Sequence, residues 1–249
     1  MNNKQNGFTL VELAIALMVI GLLIGGVLKG QELIDNARII RTLKDLNDYD
    51  TAAMIFRGTY NAVPGDIRRP ERLPNCNESP CNATLTSITG NGIIDHGYVT
   101  AGIFDLEAHN FWLHLYNAGM IQNIHTLNDV ETEQVINASS VPSLSLSGPF
   151  GGRYYISFIH SMIEQETGVW STPDIPMRKH ALHIIVNNLQ ASKIDYKIDD
   201  GAAFRGRIRY SGSCDIIPED TSVNGSNYTY NYELNPNKRC GIFFILDNL

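Results

Sequence analysis

Residues 1–29 read MNNKQNGFTLVELAIALMVIGLLIGGVLK, and this stretch decides the architecture. Its first seven residues are polar, with Lys4 as their one charged side chain. From Phe8 to Leu28 every residue is apolar or glycine except Thr9 and Glu12. A helix of that length crosses a bilayer core of about 30 Å. The apolar run is too long for the h-region of a secretory signal, and no A-x-A site follows it. Lys4 before the run and Lys29 after it give little charge asymmetry. The short tail is therefore expected to stay inside and the rest of the chain to go out. Glu12 is the anomaly. A carboxylate within a membrane span costs about 2.5–3.5 kcal/mol on insertion scales and marks a functional position. It calls for a cation, and the run supplies none.

Gly7-Phe8-Thr9-Leu10-Val11-Glu12 resembles the processing motif of type IV prepilins and type II secretion pseudopilins. The resemblance implies that a prepilin peptidase cuts after Gly7 and methylates the new amino terminus on Phe8. It also implies a partner for Glu12: the Phe8 ammonium of a neighbouring subunit. In low dielectric that attraction is strong, and each charge is costly alone. Glu12 thereby becomes a registry device for assembly. The implied partners are the peptidase, sister pilins or pseudopilins and an inner-membrane assembly platform. The implied location is the inner membrane, single-pass with the N-terminus cytoplasmic, and then a periplasmic or surface filament.

The periodicity continues beyond the span. Ile40, Leu43, Leu46, Tyr49, Ala53, Phe56 and Tyr60 recur at three- and four-residue steps, with Arg38, Arg41, Lys44, Asp45 and Asp48 on other faces. The spacing predicts one helix from about Phe8 to Thr59; a break at Gly30 is the alternative. Gly21/Gly25 and Gly26/Gly30 are four apart, an interval that permits close helix packing. Lys29 stands where many pilins carry proline, so Gly25-Gly26 is the expected point of loosening on assembly. Pro64-Gly65 signals a turn, and Tyr60-x-x-x-Pro64-Gly65-Asp66 is again similar to the helix exit of pilin-like proteins.

Arg68 to Cys81 reads as a surface loop. Ile103 to Ile121 reads as a helix with Leu106, Phe111, Leu115 and Ala118 on one face and Gly119 as C-cap. Both this segment, preceded by Gly90-Asn91-Gly92, and Ile194 to Gly201 resemble a subset of pseudopilin-like proteins. Asn128 to Gly152 reads as loop. Arg153 to His160, His183 to Val186, Gly206 to Tyr210 and Gly241 to Leu246 read as strands, and Gln190 to Asp200 as a short helix. The expected fold is α+β: a long N-terminal helix packed on a small antiparallel sheet with long loops. Its expected divisions are a leader (1–7), a membrane or filament-core helix (8–28), an amphipathic continuation (29–60) and an extracytoplasmic domain (61–249).

The chain has 249 residues and a formal net charge of -7, which argues against a nucleic-acid coat or a DNA-uptake role. Cys76, Cys81, Cys214 and Cys240 are disulfide candidates if the domain is exported, with three connectivities open. Zinc is the poorer reading, since neither pair has finger spacing. Asp195, Asp199, Asp200, Asp215, Glu219 and Asp220 offer hard oxygens for calcium, Asp199 and Asp200 foremost, but without EF-hand spacing. The preferred reading of Asp199-Asp200-Gly201 is a helix end and a turn. No cofactor is expected. His109, His114, His180 and His183 form no H-E-x-x-H pattern, and Ser211 to Cys214 is no nucleophile elbow. The expectation is a structural subunit rather than an enzyme, of a secretion pseudopilus or a type IV pilus. A leader of seven residues would leave about 242, large for a bulk subunit, so a minor one is favoured. The alternatives are a membrane-anchored extracytoplasmic binding protein or enzyme that does not polymerise, and a DNA-uptake pilin, against which the acidic balance argues weakly.

Overall fold

A computed structural model describes residues 9–77, 81, 90–94, 106–122, 146–159, 179–203, 206–210, 214–218, 228–230, 233, 235–247 and 249. Gly7, Phe8, the 103–105 start of the second expected helix, residues 128–145, His160, Glu219 and Asp220 lie outside them.

Helix α1 runs unbroken from Leu10 to Tyr60, 51 residues or about 77 Å. The four glycines from Gly21 to Gly30 do not interrupt it, so the alternative of two helices fails: glycine lowers helix propensity without removing a hydrogen bond. Its first half is exposed on all sides, from Leu10 to Leu28. Its second half buries Ile39, Thr42, Leu46, Ala53 and Phe56, with Tyr49 and Tyr60 packed beside them. These positions alternate steps of three and four. Ile40, expected on this face, instead points away and is 59% exposed; Ile39 takes its place because it shares the heptad phase of Leu46 and Ala53. Asn61 ends the helix in the left-handed region, φ 52°, donating to the Arg57 carbonyl.

Helix α2 (Leu106–Asn117) carries Ala108, Phe111, Trp112 and Leu115 into the core. Gly119 follows at φ 72°, the C-terminal stop that the sequence signals. Trp112 meets Tyr49 of α1 edge-on at 5.2 Å, and Tyr49 meets Tyr154 of the sheet at the same distance.

Among the described residues the main sheet is antiparallel, in the order β1-β2-β3-β7-β4. Its strands are β1 (Leu146–Ser147), β2 (Arg153–Ile159), β3 (Lys179–Asn187), β4 (Ile208–Tyr210) and β7 (Arg239–Leu246). Register is fixed by alternation: Cys240, Ile242, Phe244 and Leu246 turn toward the helices, while Phe243 and Ile245 turn to the other face with Ala181. Helix α3 (Asn188–Ile198) follows β3 directly, capped by Asn187, whose side chain accepts from the Gln190 amide. A separate pair, β5 (Ile216–Pro218) and β6 (Tyr228–Tyr230), has no counterpart in the sequence reading; three-residue strands are too short to show alternation.

Several boundaries need correction. Leu146–Ser147, expected as loop, is a strand pairing with Arg153 and Tyr154. The strand expected at His183 to Val186 is nine residues long, because Lys179 to Leu182 continue the pairing with β2 and β7. The strand expected from Gly206 begins at Ile208, and the helix expected at Gln190 to Asp200 spans Asn188–Ile198. Arg68 to Cys81 is no plain surface loop. It contains a 3-10 turn, Pro70–Arg72, and buries Pro70, Leu73, Cys76 and Cys81.

Candidate assembly site and its supports

Glu12 lies in the first turn of α1. The Thr9 amide donates to its Oε2 at 3.0 Å, the Thr9 hydroxyl donates to the same oxygen at 2.9 Å, and the Glu12 amide donates back to Thr9 Oγ1 at 3.3 Å. This is a capping box. The span thus offers Glu12 neutral donors that the sequence reading overlooked, although S/T-x-x-E is a legible signal. Polar capping satisfies hydrogen bonds and part of the charge at the positive end of the helix dipole, but it supplies no cation.

No Cβ added at Gly21, Gly25, Gly26 or Gly30 would meet another atom within 4 Å. Among the described residues these glycines have nothing to pack on, which leaves their small size available for contact between helices.

The junction between stalk and domain explains the Pro-Gly-Asp exit. Gly65 adopts φ +89°, and a Cβ there would stand 2.2 Å from the Glu107 carbonyl oxygen of α2. Only glycine fits. Asp66 is buried, and its carboxylate accepts from the amides of Gly90 and, at 2.6 Å, Gly92. The two glycine-rich motifs of the sequence are therefore two halves of one joint. His114 of α2 completes it: Nδ1 accepts from the Gly65 amide at 2.9 Å, and Nε2 donates to the Cys81 carbonyl at 3.1 Å. Burial holds its pKa down to about 4, so the ring is neutral at ordinary pH.

Two disulfides resolve the open connectivity: Cys76–Cys81 and Cys214–Cys240. Cys76, Cys81 and His114 converge, but both sulfurs are bonded to each other and both ring nitrogens are engaged. The cluster ties the loop to α2 and is not a metal centre. Asp195, Asp199 and Asp200 also converge, their nearest oxygens within 4.8 Å of one another. Asp199 Oδ2 accepts from the amides of Arg207 and, at 3.2 Å, Ile208, while Asp200 Oδ1 accepts from the Ala202 amide at 2.9 Å. The Asp199 and Asp200 carboxylates hold the helix end and the following turn. Asp215 is not with them; it pairs with Lys238 and with Asn235 at 2.8 Å.

Among the described residues His114, His180 and His183 do not assemble into a common cluster. His180 is buried and its Nε2 accepts from the Ile94 amide at 3.3 Å. His183 lies between Tyr155 and Phe243. Burial lowers both to about 4, with the Arg57 cation adding to the effect at His180. Arg207, to which the sequence reading assigns no role, joins stalk and sheet. Its guanidinium bonds Asp50 of α1 at 2.7 Å, pairs with Asp247 at 3.2 Å and lies 4.4 Å over the Phe244 ring.

An exposed apolar helix with an acid at its tip, jointed to a disulfide-braced α+β domain, fits a membrane-anchored stalk-and-head architecture. α1 is long and apolar enough to cross a membrane by length and composition. Residues 2–28 match the family model described as the prokaryotic N-terminal methylation motif, which supports a type IV pilin-like precursor. Neither the curated proteins nor the solved structures yield a match to the chain.

Proposed function

We propose that this chain is a structural subunit of a pilus-type filament, processed after Gly7, methylated on Phe8 and drawn from the inner membrane into a type II secretion pseudopilus or a type IV pilus. One observation carries the reading: the methylation motif heads a continuous helix whose first half has no packing partner among the described residues. In water such a surface would be untenable, and a bilayer and then sister helices are solvents that accept it. The exposure continues on the side of α1 away from the domain. Leu33, Ile40 and Ile55 are at least half exposed there, which suits a helix packed on the head by one face and on neighbours by the other. Glu12, self-capped in one chain, gains the Phe8 ammonium of the next. Gly25-Gly26 is where the span would yield on assembly, and a filament map is the test of that detail. The head's size fits a specialised subunit present in few copies.

Mass spectrometry of the mature N-terminus is the direct test. An N-methylated phenylalanine from position 8 is expected. Retention of residues 1–7 would overturn the proposal in favour of a plain membrane anchor.

A further inference from the structure

We propose that Lys44 and Asp48 form a second registry pair between two copies of this chain, repeating further up the stalk the pairing of the residue 8 amine with Glu12. This rests on the filament reading above. Lys44 and Asp48 follow residue 8 and Glu12 by the same 36 positions. At 3.6 residues per turn that interval is about ten whole turns, or about 54 Å. Because α1 is unbroken from Leu10 to Tyr60, Glu12 and Asp48 share a face. In each pair the cation precedes the acid by four residues. One axial shift of a neighbouring copy, about four residues or 6 Å, therefore brings cation to acid at both levels at once.

Three observations set this pair apart from the other charges on α1. It lies on the exposed side of the helix: Lys44 and Asp48 are 73% and 55% accessible at their side chains, and Ile40 and Ile55 are exposed on the same side. Arg41 and Asp45 have the same spacing and polarity, but Asp45 is turned to the domain, where the Tyr154 hydroxyl donates to it at 3.2 Å. Lys29–Glu32 and Asp35–Arg38 are spaced by three. Within its own helix Lys44–Asp48 has the less favourable order, since an acid stabilises best when it precedes the base. An exposed pair of that kind adds little to one chain. Enclosed between helices away from water, it becomes a specificity element, because a shifted neighbour would leave the two charges only their own-helix contact, Lys44 Nζ to Asp48 Oδ2 at 2.5 Å.

The test uses the full chain in two differently tagged forms, co-produced with a prepilin peptidase and an assembly machine, with cross-linking of copies as the readout. K44D and D48K each place like charges opposite one another, and each is expected to lower wild-type cross-linking at least tenfold. The double swap K44D/D48K restores opposite signs and is expected to return to within threefold of wild type. An equimolar mixture of the two single variants is also expected to recover. Unchanged melting curves for the variants establish that the fold is intact. Single variants that cross-link like wild type, or a double swap as poor as the singles, would overturn the inference while leaving the filament reading standing. Absence of any cross-link between wild-type copies, with no polymer formed, would overturn both.

Discussion

The Gly65 amide donates a 2.9 Å hydrogen bond to Nδ1 of the buried His114. A main-chain donor at the stalk exit thus requires an unprotonated nitrogen on α2. With Nε2 donating to Cys81, the ring is fixed as the neutral tautomer with its proton on Nε2. Protonation would set two donors against each other in a buried site.

Acid should therefore loosen this joint. The His114 pKa is near 6.5 in an unfolded chain and is held at about 4 in the fold. The folded state then binds fewer protons below pH 6.5, so stability is full above that value and falls as pH drops from 6.5 toward 4. The loss from His114 alone reaches about 3 kcal/mol at the low end. His180 and His183 add losses of the same sign. Thermal unfolding of the detergent-solubilised chain between pH 4 and pH 7 should show this fall. His114→Gln should flatten the curve by roughly one proton.

Gly65→Ala tests the close approach of backbone at the same joint. The left-handed φ and a Cβ 2.2 Å from a carbonyl oxygen leave no local relief. We expect a loss of about 3 kcal/mol or more, or failure to fold. Gly58→Ala, in an open exposed helix position, should be neutral to stabilising by about 1 kcal/mol and serves as the control in chemical denaturation.

Arg207 links stalk and head from the other side. Removing it leaves Asp50, whose side chain is 12% exposed, beside apolar neighbours without its cation. Arg207→Met should cost about 2–4 kcal/mol, and Asp50→Asn a comparable amount. The double variant should lose clearly less than the two single losses combined, with a coupling above about 1 kcal/mol in a denaturation cycle. Simple additivity would show that the contact does not couple the two elements.

The long helix and the jointed exit were legible because their signals are local. An apolar run, a three-and-four rhythm and a Pro-Gly turn each report on their own neighbourhood. The strands from Arg153 and Gly241 were legible for the same reason. What stayed hidden was long-range. Nothing in the order of residues said that Asp66 would hold Gly90 and Gly92, or that His114 would bridge Gly65 and Cys81. The sequence reading places Ile40 on the buried face that Ile39 occupies, because a helix with apolar residues on two faces gives an ambiguous phase. That ambiguity itself reports the second, exposed face. Four cysteines could not choose their partners, since pairing depends on how β7 is brought alongside Cys214.

The charge on Glu12 is the central claim, and its removal is the direct measurement. Glu12→Ala should leave cleavage after Gly7 and the fold of the head intact, while incorporation into sheared, sedimentable filaments falls at least tenfold. Glu12→Gln should fall with it, because the amide can keep part of the Thr9 cap but cannot pair with an ammonium. Incorporation of Glu12→Ala at the wild-type level would contradict the account.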